Sequence, residues 1–172
     1  MALREILHHP DERLRVKCKR VGSRDIGLHR LIDDLFETME HARGVGLAAP
    51  QVGVPLRVTV VRIPEDYDDP AAGQDIALIN PEIVKSTGEW EPDEGCLSIP
   101  GYVANVRRNW AVTVNARDRR WREFRIRGDG LLGQALQHEI DHLDGVLFVD
   151  RLESPDQLRP LERTRDDPAG AA

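Results

Sequence analysis

The chain has 172 residues, of which 40% are hydrophobic, 31% charged and 5% aromatic, with a formal net charge of −6. This describes one domain with one buried core, and no window approaches the roughly 18 consecutive apolar residues that a membrane-spanning helix requires. A net acidic chain has no global attraction for polyanions, so nucleic-acid binding is not expected.

The opening Met1-Ala2-Leu3-Arg4-Glu5 carries an acid early and no apolar core of signal-peptide length, so a cytosolic location is expected. With only Cys18 and Cys96, both thiols are expected to be free. From Asp25 to Arg43, Ile26, Leu28, Leu31, Ile32, Leu35, Phe36 and Met39 recur at three- and four-residue spacing. This predicts an amphipathic helix, capped by Ser23 or Asp25 and ended by Gly44. Gly46, Pro50 and Gly53 make the next stretch irregular. Residues 56–63 read as a β-branched strand and residues 64–73 as an acidic surface loop.

Short strands are expected at 77–80 and 83–86, on either side of Pro81, with loop rather than regular structure from Gly88 to Gly101. Residues 110–116 and 121–127 alternate like two paired strands joined by a turn around Asp118. The arginines from Arg117 to Arg127 are interleaved with Asp118 and Glu123 and read as a solvated strand face. A second helix is expected from Asp129 to Leu143, stopped by Gly145. Leu132, Leu136, Ile140 and Leu143 form one stripe, and Leu131, Ala135, His138 and His142 the adjacent one. Residues 1–152 are assigned to the domain and 153–172 to a polar, flexible tail, frayed beyond Arg163.

His138-Glu139-Ile140-Asp141-His142 carries the strongest chemical signal. Residues four apart on a helix share a face, so His138 and His142 can bring two imidazole nitrogens to one metal. Glu139 then lies where a general base for metal-activated water belongs. Two surface histidines are the plainer alternative, but the stripe that carries them is otherwise apolar. A tetrahedral site needs a further protein ligand. A longer HExxH motif would place a histidine at position 148, which is Phe148, and no histidine follows His142. Glu162 is suitably distant but sits in the proline- and arginine-rich tail. Cys96, between Gly95 and Pro100-Gly101, is the stronger candidate, with a buried structural cysteine as the alternative.

Gly44-Val45-Gly46-Leu47-Ala48-Ala49 matches a dinucleotide fingerprint on paper, but a helix precedes it and Pro50 follows, which is the wrong context. It reads better as an extended segment whose missing side chains let another backbone, such as a peptide substrate, approach closely. Gln51, taken alone, reads as a polar loop residue.

Together, Gly44-Val-Gly-Leu-Ala-Ala-Pro-Gln-Val-Gly53, Glu94-Gly-Cys-Leu-Ser-Ile-Pro100 and Gln137-His-Glu-Ile-Asp-His-Leu-Asp-Gly145 resemble, in order and spacing, the three signature motifs of the peptide deformylase family. The resemblance runs from about residue 3 to Arg151. It implies a hydrolase that removes the formyl group from the N-terminal formylmethionine of new bacterial polypeptides and releases formate. It makes Cys96, His138 and His142 the metal ligands and Glu139 the general acid/base that serves metal-bound hydroxide. Gln51 and the backbone N–H of Leu97 would form the oxyanion hole. Val45, Gly46 and Gly95 would offer backbone groups to an extended substrate, and Val45, Leu131, Ala135 and the His138 ring would wall the methionine pocket.

The ligand types alone point first to zinc. The family resemblance implies one Fe²⁺ per chain, replaceable by Zn²⁺, Ni²⁺ or Co²⁺. Where many members carry an arginine, this chain has Val103, preceded by Tyr102. Pro160 and Asp166-Asp167-Pro168 argue against the long basic C-terminal helix that some members use at the ribosome. The expected protein is a single α+β domain with antiparallel and mixed strands around a central metal-binding helix. It is expected to be a cytoplasmic monomer that acts on N-formylmethionyl peptides with at most transient ribosome contact. An HExxH endopeptidase would instead recruit Glu162 and leave Cys96 dispensable, and a metal-stabilised binding module for N-termini would have no need of Glu139.

Overall fold

The computed structural model describes residues 2–23 and 26–162. In chain order its elements are α1 (Ile26–His41), β1 (Gly46–Ala48), β2 (Val58–Val61), β3 (Ile76–Thr87), β4 (Asp93–Cys96), β5 (Ile99–Asn105), β6 (Ala111–Arg117), β7 (Glu123–Asp129), α2 (Gly130–Leu143) and β8 (Arg159–Pro160). One sheet has the order β1-β2-β3-β6-β7 and a second the order β4-β5-β8. The named strands pair antiparallel throughout. Two isolated parallel bridges, Lys19 with Leu56 and Ile63 with Ala72, supply the mixed component of this α+β domain.

β2 explains how the helices are placed. All four of its residues are buried, as expected for a strand covered on both faces rather than one. Val58 and Val60 pack with Leu28, Leu31, Ile32, Leu35 and Met39 of α1. Val61 points the other way, into a cluster with Leu132, Leu136 and Ile140 of α2. Every residue of α2 from Leu132 to Leu143 is buried, so this helix is the centre of the molecule. It ends at Gly145, whose φ of 74° suits glycine and whose absent side chain makes room for Arg15, since a Cβ there would lie 2.4 Å from the Arg15 carbonyl oxygen.

Among the described residues α1 starts at Ile26; the expected cap Asp25 lies outside them. The helix stops at His41, Arg43 turns the chain at φ 57°, and the Gly44 N–H donates to Met39 O at 2.9 Å. The two short strands expected around Pro81 are one strand, β3. It absorbs the proline, which has no N–H to give, through a slip in register between Ile79 and Glu82. Asn80, at φ 52°, sits in that slip and exchanges hydrogen bonds of 2.8 and 2.9 Å with the Val21 backbone.

The expected loop from Gly88 to Gly101 holds β4 and the start of β5. Gly95 and Pro100 hide the period-two pattern; Gly95 is tolerated on the short edge strand β4, and Pro100 at the start of β5, ahead of the residues that pair with β8. The tail expected to leave the domain at residue 153 is still against it at Leu161: Arg159 and Pro160 pair with Val103 and Tyr102, and the Leu161 N–H donates to Gly101 O at 2.9 Å. The fraying expected beyond Arg163 lies outside the described residues. Among the described residues no helix is long and apolar enough to cross a membrane.

Candidate metal centre

His138 and His142 sit one turn apart on α2, and Cys96 ends β4. Their donor atoms all lie within 4.8 Å of one another, and all three residues are buried. His142 Nε2 is 3.1 Å from His138 Nε2 and 3.3 Å from Cys96 Sγ. The register of the β4–β5 hairpin slips between Gly95 and Cys96, and a bulge of this kind re-aims the side chain that follows it.

The Nδ1–H of His138 faces Glu94 Oε2 at 2.8 Å, which fixes the tautomer and leaves the Nε2 lone pair directed at the cluster. One soft sulfur and two imidazole nitrogens converging without an intervening donor fit a tetrahedral divalent ion. Glu139 Oε2 and His142 Nδ1 are buried and have no hydrogen-bond partner among the described residues.

Behind His138 runs a chain of charges that is buried at Glu94, Arg108 and Asp141 and reaches the surface at Arg151. Arg108 forks onto Glu94 at 2.9 and 2.5 Å and reaches Asp141 at 2.7 Å, and Arg151 holds both oxygens of Asp141 at 2.6 Å. Burial works against ionisation of Glu94, but His138 and Arg108 beside it outweigh burial and hold its carboxyl at about 2. Burial pushes the Glu139 carboxyl the other way, up to about 7, against the opposing pull of His138.

A cavity of about 310 Å³ opens onto these groups, lined by Val45, Gly46, Gly95, Cys96, Leu97, Leu131, Ala135, His138 and Glu139 among others. β1 and β4 are edge strands of their two sheets, and both contribute residues to this lining. Each therefore presents unpaired backbone groups towards the space between them. Gln51 lies beside the cavity, its Nε2 3.7 Å from Cys96 Sγ and 3.1 Å from Ser98 Oγ, with its Oε1 accepting the Ala48 N–H at 2.9 Å. Glu162 is exposed and does not join the cluster, so the endopeptidase alternative has no third ligand there.

Sequence reading assigned no role to Glu94, Arg108, Asp141 or Arg151. Glu94 had a signal: two residues before Cys96 on a strand, it shares that residue's buried face.

Gly46 has a specific reason to be glycine. A Cβ there would lie 2.4 Å from Glu139 Oε1, so the carboxylate would have to move. Gly46→Ala is expected to lower kcat/KM by about 100-fold, the typical cost of misplacing a reacting group by an ångström. Its melting temperature should stay within a few degrees of the parent's. Steady-state kinetics beside a thermal melt check this, and a fully active variant would show that the Glu139 position is not critical.

A helix-borne HExxH sequence completed by a cysteine from a neighbouring hairpin defines the class as a metal-dependent hydrolase. The family model described as Polypeptide deformylase matches residues 3–158. The chain is 49% identical to the peptide deformylase of Thermomicrobium roseum, over 100% of this chain and 98% of that protein. It is 48% identical to that of Dehalococcoides mccartyi, over 94% and 93%. The crystal structure of a peptide deformylase from Legionella pneumophila superposes with a TM-score of 0.83 at 53% identity, covering 91% of this chain and 89% of that one. The Ehrlichia chaffeensis peptide deformylase in complex with actinonin gives 0.86 at 38% identity, covering 91% and 92%. The chain belongs to the peptide deformylase family.

Proposed function

We propose that this chain removes the N-formyl group from N-terminal formylmethionine by metal-assisted hydrolysis, releasing formate. The observation that carries the reading is the convergence of Cys96 Sγ and the Nε2 atoms of His138 and His142 beside a buried Glu139 carboxylate oxygen that has no partner among the described residues. A divalent ion bound by these residues would polarise the formyl carbonyl and lower the pKa of water towards about 7. The family resemblance supports Fe²⁺, with Zn²⁺, Ni²⁺ or Co²⁺ able to substitute, while the donor set alone suits zinc.

Glu139 takes the proton of the attacking water at Oε2 and returns it to the departing amine nitrogen. Its elevated pKa, about 7, suits both halves of that task. Gln51 Nε2 and the Leu97 N–H donate to the formyl oxygen as negative charge grows there; one such donor is typically worth about 2.7–4 kcal/mol. The backbones of Val45, Gly46 and Gly95, on and beside the edges of β1 and β4, hold the peptide extended. Val45, Leu131, Ala135 and the His138 ring wall the methionine side chain. Actinonin, bound in the Ehrlichia chaffeensis relative, is a ligand to test for binding to this chain.

The proposal extends to the cellular setting: a monomer in the bacterial cytoplasm, meeting formylmethionyl chains and at most transiently the ribosome.

The test is formate release from a formyl-Met-Ala peptide by protein purified without air, since ferrous iron beside a thiolate is prone to oxidation, with metal assayed on the same sample. Turnover should track metal occupancy. Cys96→Ala is expected to lose the ion on dialysis and activity with it. If that variant keeps both, or if loaded parent enzyme cuts internal peptide bonds instead, the proposal fails.

A further inference from the structure

Leu161 lies beyond residue 158, where the family match ends, yet it lines the same cavity as Cys96 and Glu139. β8 carries it there. Arg159 donates to Asp93 Oδ1 at 2.5 Å and to Asn105 Oδ1 at 3.4 Å, and Arg159 and Pro160 pair with Val103 and Tyr102. The Leu161 N–H then closes onto Gly101 O. Tyr102, also in the cavity lining, lies opposite Pro160 in the β5–β8 register.

Both side chains are large and largely apolar, yet Leu161 is 38% and Tyr102 46% exposed. Neither belongs to a packed core cluster among the described residues. Apolar surface left open in continuity with a catalytic cleft marks a contact surface for what enters the cleft. Of the charged residues that line the cavity, Asp93 is paired with Arg159 and Glu94 with Arg108, and Arg43 is exposed.

We propose that Leu161 and Tyr102 form a binding surface for an apolar side chain in the residues that follow formylmethionine, so that this enzyme favours substrates with an apolar residue there over polar ones. The proposal rests on the deformylase reading and deepens it. Leu161 and Tyr102 act on substrate selection, which should appear in KM, and not on the reacting atoms.

The experiment compares formyl-Met-Ser-Ser, formyl-Met-Leu-Ser and formyl-Met-Ser-Leu by formate release from metal-loaded, full-length protein. One leucine peptide is expected to exceed the all-serine peptide by about fivefold in kcat/KM, through a lower KM, from burial of part of one aliphatic side chain. The double variant Leu161→Ser, Tyr102→Ser should bring that ratio close to one, and Leu161→Met should keep it. Equal kcat/KM for the three peptides in the parent, or an unchanged ratio in the double variant, overturns the proposal while leaving deformylation standing. No formate from any of the three overturns the deformylase reading and this inference with it.

Discussion

Glu139→Gln is expected to lower kcat for formate release by about 10²–10⁴-fold, the usual contribution of a positioned acid/base, with the bound metal retained. Glutamine keeps the volume of the side chain and removes its capacity to take a proton. The parent carboxylate is buried, and one of its oxygens has no partner among the described residues, an arrangement that costs folding energy rather than supplying it. The variant should therefore melt at the same temperature as the parent or higher. Loss of rate with equal or greater stability is a signature that a merely structural glutamate could not give. A variant that turns over at the parental rate would remove Glu139 from the mechanism.

Arg108→Met is expected to destabilise the fold by about 3–5 kcal/mol, the range for removing one partner of a buried ion pair. The Arg108 side chain is 2% exposed and bridges Glu94 to Asp141. Without it the hydrogen-bond partners left to Glu94 among the described residues are His138 and Gln134, and a buried carboxylate loses its principal counter-charge. Because Glu94 also orients a candidate metal ligand, metal affinity should fall by about 10- to 100-fold. Arg108→Lys retains the charge but cannot fork onto two carboxylates, so it should fall between parent and Met variant. Urea denaturation of the metal-free proteins, followed by metal titration, reads both effects. An unchanged denaturation midpoint in the Met variant would show that the network is not a support of the fold.

Some of this was legible in the sequence, and the reasons differ from element to element. α2 announced itself because its buried stripes recur at helical spacing, and His138, Glu139 and His142 ride on the same periodicity. Cys96 stood out through the turn residues around it and the motif it completes. β4 and β5 did not, since Gly95, Pro100 and Gly101 break the alternation that marks a strand, and the pairing that makes them strands is supplied by each other and by residues 159 and 160, far along the chain. Arg108 was invisible for a related reason. Between Arg107 and Asn109 it looks like one more surface cation, and only the meeting of Glu94 from β4 with Asp141 from α2 gives it a place in the interior. Composition also conceals how residues 155–161 dock: prolines and charges suggest a free segment, but Pro155 starts a 3-10 turn and Arg159 finds Asp93.

The two-residue strand β8 also bears on how the molecule behaves in a crowd. A sheet that ends in a long bare strand offers a template on which strands of neighbouring molecules can stack, the first step towards aggregation. β5 is spared that exposure because β8 lies along part of it. β8 makes a poor template in turn: it is two residues long, one of them charged and the other a proline with no N–H to donate. The margin of the small sheet is thus finished with a segment that neighbouring chains cannot readily extend.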